Sequence, residues 1–270
     1  RFVKNKRAMI ALVIFLIIAL MAIFGPMISP YSYDGMDTAI MNQRPSAAHW
    51  FGTDRFGRDL FTRVLYGARI SLMVGIVTAV INTIIGVIYG GIAGYVGGRV
   101  DMWMMRLTDI LYSIPELLYI ILIMLIFGSN VRSIIIGVCV AGWISMARMV
   151  RSQIITLKEQ EFALAAFVLG ANSRRILFKH LIVNSLGTII VTVTLMIPQA
   201  IFMEAFLSFV GVGISAPMAS LGTLAQDART YLEIFPYQML FPVAAICVTI
   251  FSLNFIGEGL NSALNPKGKR

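Results

Sequence analysis

Three acidic side chains, those of Asp109, Glu116 and Glu204, lie inside stretches that are otherwise largely apolar. Charged groups at such positions are rare because their desolvation is unfavourable, and they usually serve a function. They could line a hydrophilic path for a polar solute, or they could lock helices together by hydrogen bonds. For Glu116 the sequence leaves both interpretations open, and for Glu204 it favours the structural one. Asp109 lies one helical turn after Arg106, which predicts a neutralising pair.

Residue types that perform catalysis or bind metals are not combined into a site. His49 and His180 belong to different connecting segments, and Cys139 and Cys247 lie within apolar runs, so neither a zinc site nor a disulfide framework is predicted. Residues 211–216 satisfy a relaxed dinucleotide-binding pattern, but no predicted strand precedes them. A Gly-x-x-x-x-Gly-Lys-Ser/Thr loop for phosphate is missing. We therefore expect a non-catalytic chain that binds no metal and no cofactor of its own.

The composition indicates that these residues are positioned by helices in a lipid bilayer. The 270 residues are 58% hydrophobic and 13% charged, whereas soluble domains contain about 25% charged residues. A spanning helix needs about 20 largely apolar residues. The runs predict an all-α membrane protein, a single polytopic domain over residues 1–270 with six transmembrane helices near 8–28, 70–97, 106–127, 131–150, 183–205 and 237–257. A signal peptide is the alternative for the first span, but no small-residue cleavage site follows it promptly.

The distribution of Lys and Arg predicts the orientation of these spans. With six spans both termini share one side, and most of the 22 Lys and Arg residues belong to that side. The positive-inside rule then makes both termini cytoplasmic. Residues 29–69 form an extracellular loop and residues 151–182 a cytoplasmic loop. The net charge of +9 reflects this topology and attraction to anionic headgroups, and it does not indicate nucleic-acid binding.

Glycine and proline positions suggest how the helices pack. Gly86, Gly90 and Gly94 recur every four residues in the second span, which favours close helix packing over a gating hinge. Pro115 and Pro198 predict kinks in the third and fifth spans.

The cytoplasmic loop predicts a short surface helix. Residues 159–169 are good helix formers with acidic residues first, where the helix dipole favours them. Gly170 stands where a glycine with positive φ ends a helix, and Asn172 or Ser173 can cap a second helix. The short helix would offer another protein an apolar patch with small residues in its middle, Ala163, Ala165 and Ala166. A helix resting on lipid is the alternative.

The same loop carries a family resemblance. Ala165-Ala166 with Gly170, followed by Ile176 and His180-Leu181, resembles the cytoplasmic EAA loop of bacterial ABC importer permeases. In that family the loop forms a coupling helix that docks on the ATPase subunit. Leu164 replaces the family's glutamate, although Glu161 lies one turn earlier, and Val183 replaces a usual proline. The resemblance implies a coupling segment that includes Glu161, Ala165, Ala166, Gly170, Arg174 and Arg175.

The extracellular loop contains a more specific motif. From the residues alone, Thr53 or Asp54 can begin a helix, and Asp59 can pair with Arg63 four residues later. The run Gly52, Thr53, Asp54, Gly57, Arg58 and Asp59, then Arg63 and residues 67–72 (Gly-Ala-Arg-Ile-Ser-Leu), resembles the dipeptide/oligopeptide/nickel permease family, and within it the C-type subunit. Matches in 97–115, 147–151, 208–213 and 257–266 extend this resemblance over nearly the whole chain.

The resemblance implies the six-helix ABC importer permease fold and a role in peptide uptake across a bacterial cytoplasmic membrane. The implied partners are a homologous second permease subunit, two ABC ATPase subunits that use ATP and Mg, and an extracellular substrate-binding protein. Peptides are favoured over nickel because the extracellular loops contain no His/Met cluster. A self-sufficient channel or proton-coupled carrier is the rival, but carriers usually show internal repeats with matched ionisable residues. A membrane-embedded enzyme is a third alternative.

Overall fold

Helices account for the regular structure of this chain. The computed structural model describes residues 2–264, and within that range it contains no named β-strand, which confirms the expected all-α fold. Arg1, residues 265–266 of the family match, and the C-terminal Lys267, Lys269 and Arg270 lie outside the described residues. The helices are α1 (Lys6–Ile28), α2 (Leu60–Val96), α3 (Gly98–Tyr112), α4 (Glu116–Phe127), α5 (Val131–Ala141), α6 (Trp143–Lys158), α7 (Glu161–Val168), α8 (Ser173–Val210), α9 (Leu221–Arg229) and α10 (Tyr237–Leu264).

The longest apolar helices are long enough to cross a bilayer. Five of them pass this test, namely α1, α2, α5 with α6, α8 and α10, and the bent pair α3–α4 makes a sixth if it counts as one span. Large apolar side chains such as Ile10, Val13 and Leu20 of α1 are exposed on the outside of the bundle. Their exposure is compatible with lipid as the solvent of this surface, where apolar side chains are favoured.

α2 is the helix against which most of the others pack. Its glycines Gly86, Gly90 and Gly94 form one face towards α6. A Cβ at Gly86 would lie 2.6 Å from the Cβ of Met146, and one at Gly90 would overlap the carbonyl oxygen of Ala147. The backbones of α2 and α6 therefore approach as closely as glycine allows, which confirms the predicted packing role of this stripe.

α2 begins at Leu60, well before the predicted span of 70–97. The Asp59 carboxylate caps it by accepting a hydrogen bond from the Thr62 amide at 2.8 Å. Arg63 and Arg69 end the apolar run without ending the helix, because a helix can continue beyond the apolar layer. The start of α2 at Leu60 also corrects the expectation that Thr53 or Asp54 begins this helix.

The predicted continuous span over 106–127 is replaced by two helices. α3 ends at Tyr112, α4 begins at Glu116, and their directions differ by 74°. Pro115 explains the break, since it has no amide hydrogen and disfavours the α conformation of the residue before it. Asp109 and Glu116 consequently belong to different helices, whereas an unbroken span over 106–127 would place them on one helix face.

The other predicted spans lie within longer helical segments. The turn before α5 is closed by Asn130, whose side chain accepts a hydrogen bond from the Ser133 amide at 3.0 Å. The predicted span 131–150 corresponds to α5 and α6, which meet at Gly142 and continue to Lys158. The span 183–205 lies inside α8, which includes a π-helical stretch at Ile176–Leu181. α1 and α10 contain the predicted spans 8–28 and 237–257.

Candidate functional site

The 151–182 loop forms the expected short helix, α7, followed by a sharp turn. Gly170 has φ +80°, a conformation that favours glycine. The Gly170 amide donates to the Phe167 carbonyl at 2.9 Å, and the Ala171 amide donates to the Ala166 carbonyl at 3.0 Å. This pair of hydrogen bonds is the Schellman arrangement. Asn172 then caps α8 by accepting from the Arg175 amide at 2.8 Å, so the predicted helix–turn–helix is confirmed.

The small residues of α7 do not all lie on its outer face. Ala163 and Ala166 are buried, and they pack in one cluster with Ile154 of α6 and with Ile176 and Leu177 of α8. The expectation that these two alanines offer a surface to another protein is therefore wrong. An eight-residue helix is too short to be stable alone. The packing of these two alanines attaches α7 to the rest of the chain.

The exposed face of this segment is formed by larger apolar side chains. Leu164, Phe167, Val168 and Leu169 are all exposed, and Leu169 reaches 87% exposure. Four exposed apolar side chains so close in sequence form a patch that a partner protein or lipid could cover. The other predicted residues of the segment, Glu161, Ala165, Arg174 and Arg175, are also exposed.

The motif of the 29–69 loop forms a compact, buried network of charges. The Asp54 carboxylate accepts hydrogen bonds from the Phe56 and Arg58 amides at 2.8 and 3.0 Å, and from Arg58 Nε at 2.6 Å. Arg63 Nε lies 3.7 Å from Asp54 Oδ2, and Arg63 Nη2 lies 3.8 Å from Asp227 Oδ2. Arg58 and Arg63 are almost fully buried, so their charges require these carboxylates.

Asp59 acts as a local organiser of the same motif. Its Oδ2 lies 2.9 Å from Nδ1 of the buried His49, and its Oδ1 accepts from the hydroxyl and amide of Thr62. The expected pair of Asp59 with Arg63 is replaced by pairs of Arg63 with Asp54 and Asp227, because Asp59 serves as the cap of α2. These contacts give the motif a structural role, because they hold the 29–69 loop against α2 and α9.

The two motif glycines are explained by backbone geometry. Gly52 has φ +77° and Gly57 has φ +73°. A Cβ at Gly52 would lie 2.8 Å from the Tyr237 ring, and one at Gly57 would overlap the carbonyl oxygen of Asp37. At both positions the backbone conformation favours glycine, and the available space excludes a Cβ. Thr53 is fully buried, and its hydroxyl hydrogen-bonds to the Ile40 carbonyl.

A cavity of about 530 Å³ with a mixed polar and apolar lining is walled by α2, the α3–α4 break, the α5–α6 junction and α8. Thr78, at the centre of α2, and Asn82 line one wall, and Gln199 of α8 lines another. Glu116, at the first turn of α4, contributes the carboxylate of this cavity. Broken helices that line a cavity at mid-depth are typical of solute sites in transporters.

The other two acidic residues lie outside this cavity. Asp109 pairs with Arg148 of α6, whose Nη2 lies 2.9 Å from its Oδ1, in place of the expected pair with Arg106. Glu204 is fully buried and accepts hydrogen bonds from Ser71 of α2 at 2.6 Å and from Ser208 at 2.9 Å. Glu204 thus joins α2 to α8.

Residues that the sequence did not single out belong to the buried charge network and to the cavity. Asp227 lies in α9, far along the chain from the arginines that it faces, and no sequence pattern connects them. Asn82 and Gln199 are uncharged, so they do not stand out among apolar residues as Asp109, Glu116 and Glu204 do. Their signal was available, since both interrupt apolar runs. Among residues 2–264 no cluster of His, Cys, Asp or Glu could hold a metal ion.

The bundle of apolar helices, its broken third span and the exposed helix α7 are consistent with a multi-pass membrane transport component. The chain belongs to the family of binding-protein-dependent transport system inner membrane components, whose model matches residues 86–270. Residues 1–45 match the N-terminal TM domain of oligopeptide transport permease C.

Individual relatives are similar over almost their whole length. The oligopeptide transport system permease protein OppC of Bacillus subtilis is 49% identical over 267 residues, which cover 99% of this chain and 88% of that protein. The dipeptide transport system permease protein DppC of B. subtilis is 48% identical, over 100% of this chain and 85% of that protein. OppC of Escherichia coli K12 is 46% identical, over 100% and 90%.

Proposed function

We propose that this chain is the C-type permease subunit of an ATP-driven importer of dipeptides or oligopeptides. The observation that carries the proposal is the 49% identity, over 99% of the chain, to an oligopeptide transport permease. The proposed partners are a homologous second permease subunit, two ABC ATPase subunits and an extracellular substrate-binding protein. ATP and Mg belong to the ATPases, and this chain binds no cofactor and performs no catalysis.

The proposed orientation places both termini in the cytoplasm of a bacterium, with the protein in its cytoplasmic membrane. The excess of Lys and Arg in the terminal segments and in the 151–182 loop supports this orientation. It puts α7 on the cytoplasmic side, where nucleotide is available, and it puts the 29–69 loop on the side from which substrate arrives.

The exposed apolar patch of Leu164, Phe167, Val168 and Leu169 is the proposed contact with an ATPase subunit. Burying such side chains against a partner is favourable by about 25 cal/mol per Å² of apolar surface. The patch lies at the end of α7 and in the turn that follows it, so a partner groove can hold it from both sides. Gly170 fixes the direction in which the chain leaves the patch.

The packing of α7 supports a mechanical role for this contact. Ala163 and Ala166 pack on α6 and α8, and the same two helices contribute Ser145 and Gln199 to the cavity wall. A displacement of α7 by an ATPase is therefore transmitted to two walls of the cavity through close-packed side chains. ATP binding would bias the cavity towards one side of the membrane and hydrolysis towards the other, by the difference in affinity for the two states.

The proposed path runs along the cavity face of the bundle. Gln199 and Ser145 are exposed there although Gln199 lies inside α8 and Ser145 lies in the first turn of α6, within the predicted span 131–150. Polar side chains at that depth are unfavourable in lipid, which supports a second permease and a hydrophilic path on this face. Glu116 lies on the path in this proposal, and Asp109 and Glu204 lie beside it as helix-joining groups.

Reconstitution tests this function. The complete complex, with its binding protein outside and ATP inside proteoliposomes, should accumulate labelled tripeptide, and a complex reconstituted without the ATPase subunits should not. A Leu169→Asp complex should lose uptake, while Asp34→Asn, an exposed extracellular change, should retain it. Uptake by this chain without any ATPase would contradict the proposal, and so would ATP-driven uptake of nickel but not of peptide.

A further inference from the structure

The central cavity is lined by neutral polar side chains, which can donate and accept hydrogen bonds, and by one carboxylate. Among the described residues that line it, Glu116 is the one carboxylate, and Lys, Arg and His are absent. The Thr78 hydroxyl donates to the carbonyls of Val74 and Gly75, at 2.7 and 3.1 Å. Its hydroxyl proton is therefore engaged within α2, and its oxygen is left as an acceptor.

Two of these acceptors have no partner in the part of the chain that the structure describes. Glu116 makes no ion pair within residues 2–264, although it is largely shielded from solvent. Asn82 is 3% exposed, and its Oδ1 is buried without a hydrogen-bond partner there. A half-buried carboxylate without a counter-charge is unfavourable, so a species that brings positive charge to Glu116 would stabilise this wall.

We propose that this cavity binds a primary ammonium group of the transported peptide, with Glu116 as its counter-ion and with Thr78, Asn82 and Gln199 as its polar surroundings. An ammonium group has three N–H donors and a positive charge, which complements the single carboxylate among the described residues of this lining. A carboxylate end of a peptide would be repelled by Glu116 and would have to lie elsewhere. The inference rests on the proposed function and adds the end of the substrate that this subunit holds.

The geometry of the break strengthens the assignment. Glu116 is held at the first turn of α4 by Pro115, where the chain bends by 74°. Asp109, one turn before the end of α3, is occupied by Arg148, and Glu204 is occupied by serines. Of the three acidic residues at membrane depth, only Glu116 thus faces a cavity without a protein partner among residues 2–264.

The test measures ATP-driven uptake by the complete reconstituted complex with three peptides at concentrations that saturate the binding protein. These are tri-alanine, N-acetyl-tri-alanine and N-acetyl-Lys-Ala-Ala. Glu116→Gln should lower the ratio of tri-alanine to N-acetyl-tri-alanine uptake by about tenfold, since a charge-assisted hydrogen bond is lost. Glu116→Asp keeps the charge and should retain most of the ratio. Glu258→Gln removes an exposed carboxylate outside the cavity and should leave the ratio unchanged.

The third peptide separates the two sources of an ammonium group. If N-acetyl-Lys-Ala-Ala behaves as tri-alanine does, the site accepts any primary ammonium, and if it behaves as N-acetyl-tri-alanine does, the site holds the peptide N-terminus. Equal slowing of all three peptides by Glu116→Gln, or no effect on any of them, overturns the inference while peptide transport stands. Failure of the wild-type complex to move any peptide overturns the proposed function itself.

Discussion

Single residues of the motif in the 29–69 loop stabilise this loop through backbone geometry and charge balance. Asp54 and Asp227 neutralise Arg58 and Arg63, which are almost fully buried. Removing one partner of such a network is strongly destabilising because it leaves an uncompensated charge. The motif therefore stabilises the 29–69 loop. The backbone conformation of the motif depends on glycines that no other residue replaces without strain.

Gly57→Ala should destabilise the protein through a steric overlap as well as through backbone strain. A Cβ would overlap the Asp37 carbonyl oxygen, and φ is +73°. Strain of this kind costs about 1–3 kcal/mol, so we expect a lower midpoint of thermal unfolding in detergent. Gly98→Ala is the matched control, because Gly98 has φ +56° with nothing within 4 Å of its Cβ position. Equal midpoints for the two variants would contradict the role of the overlap.

At the scale of elements, α7 combines an inner face that holds it to the chain with an outer face that is free. Substitutions on the two faces should therefore have different effects. Leu169→Asp and Phe167→Asp change exposed side chains, so thermal stability should stay near wild type while ATP-driven uptake is lost. Ala166→Arg changes a buried position and should lower stability as well. Loss of stability in Leu169→Asp equal to that in Ala166→Arg would show that the outer face also packs within the chain.

The α2–α6 contact makes its own prediction at this scale. Gly90→Ala should destabilise the bundle by about 1–3 kcal/mol, the range for overpacking, because its Cβ would overlap the backbone of Ala147. Gly91→Ala is the control on the adjacent face, where the Cβ would be 3.6 Å from Leu177 Cδ1, an ordinary contact. Thermal unfolding of the two variants in the same detergent compares them directly. A Gly91→Ala midpoint at or below that of Gly90→Ala would refute the close approach.

The elements also show what the sequence can and cannot predict. Helix existence followed from apolar runs, and the turn at Gly170 followed from local backbone chemistry, which depends on neighbouring residues only. The start of α2 at Leu60 does not follow from the sequence, because the charges of Arg63 and Arg69 end the apolar run. In the fold, Asp54 and Asp227 neutralise Arg63, so the helix extends past it. The orientation of Ala166 was also missed, since an apolar helix with residues of both sizes has no periodicity that separates its two faces. Partners distant in sequence decide both features.

At the scale of the whole molecule, the proposed mechanism requires α7 and the 29–69 loop to lie on opposite sides of the membrane. Both ends of the proposed path depend on this: the exposed patch beside α7 needs a nucleotide-binding partner, and the buried charge network must support the substrate entrance. The exposed polar side chains at mid-bundle add a third requirement, which is a covering subunit on the cavity face. A single topology satisfies all three, and it can be measured without any transport assay.

Glu161→Cys and Met41→Cys, each in a background with Cys139 and Cys247 replaced by Ser, report the two sides. Both positions are exposed. A membrane-impermeant thiol reagent is added to cells whose outer layer is permeable and whose cytoplasmic membrane is intact. It should label Met41→Cys, and it should leave Glu161→Cys unlabelled until the cytoplasmic membrane is opened. The reason is that the Lys and Arg excess holds the α7 side in the cytoplasm. Labelling of Glu161→Cys from outside, with Met41→Cys protected, would reverse the orientation and remove α7 from the reach of any ATPase.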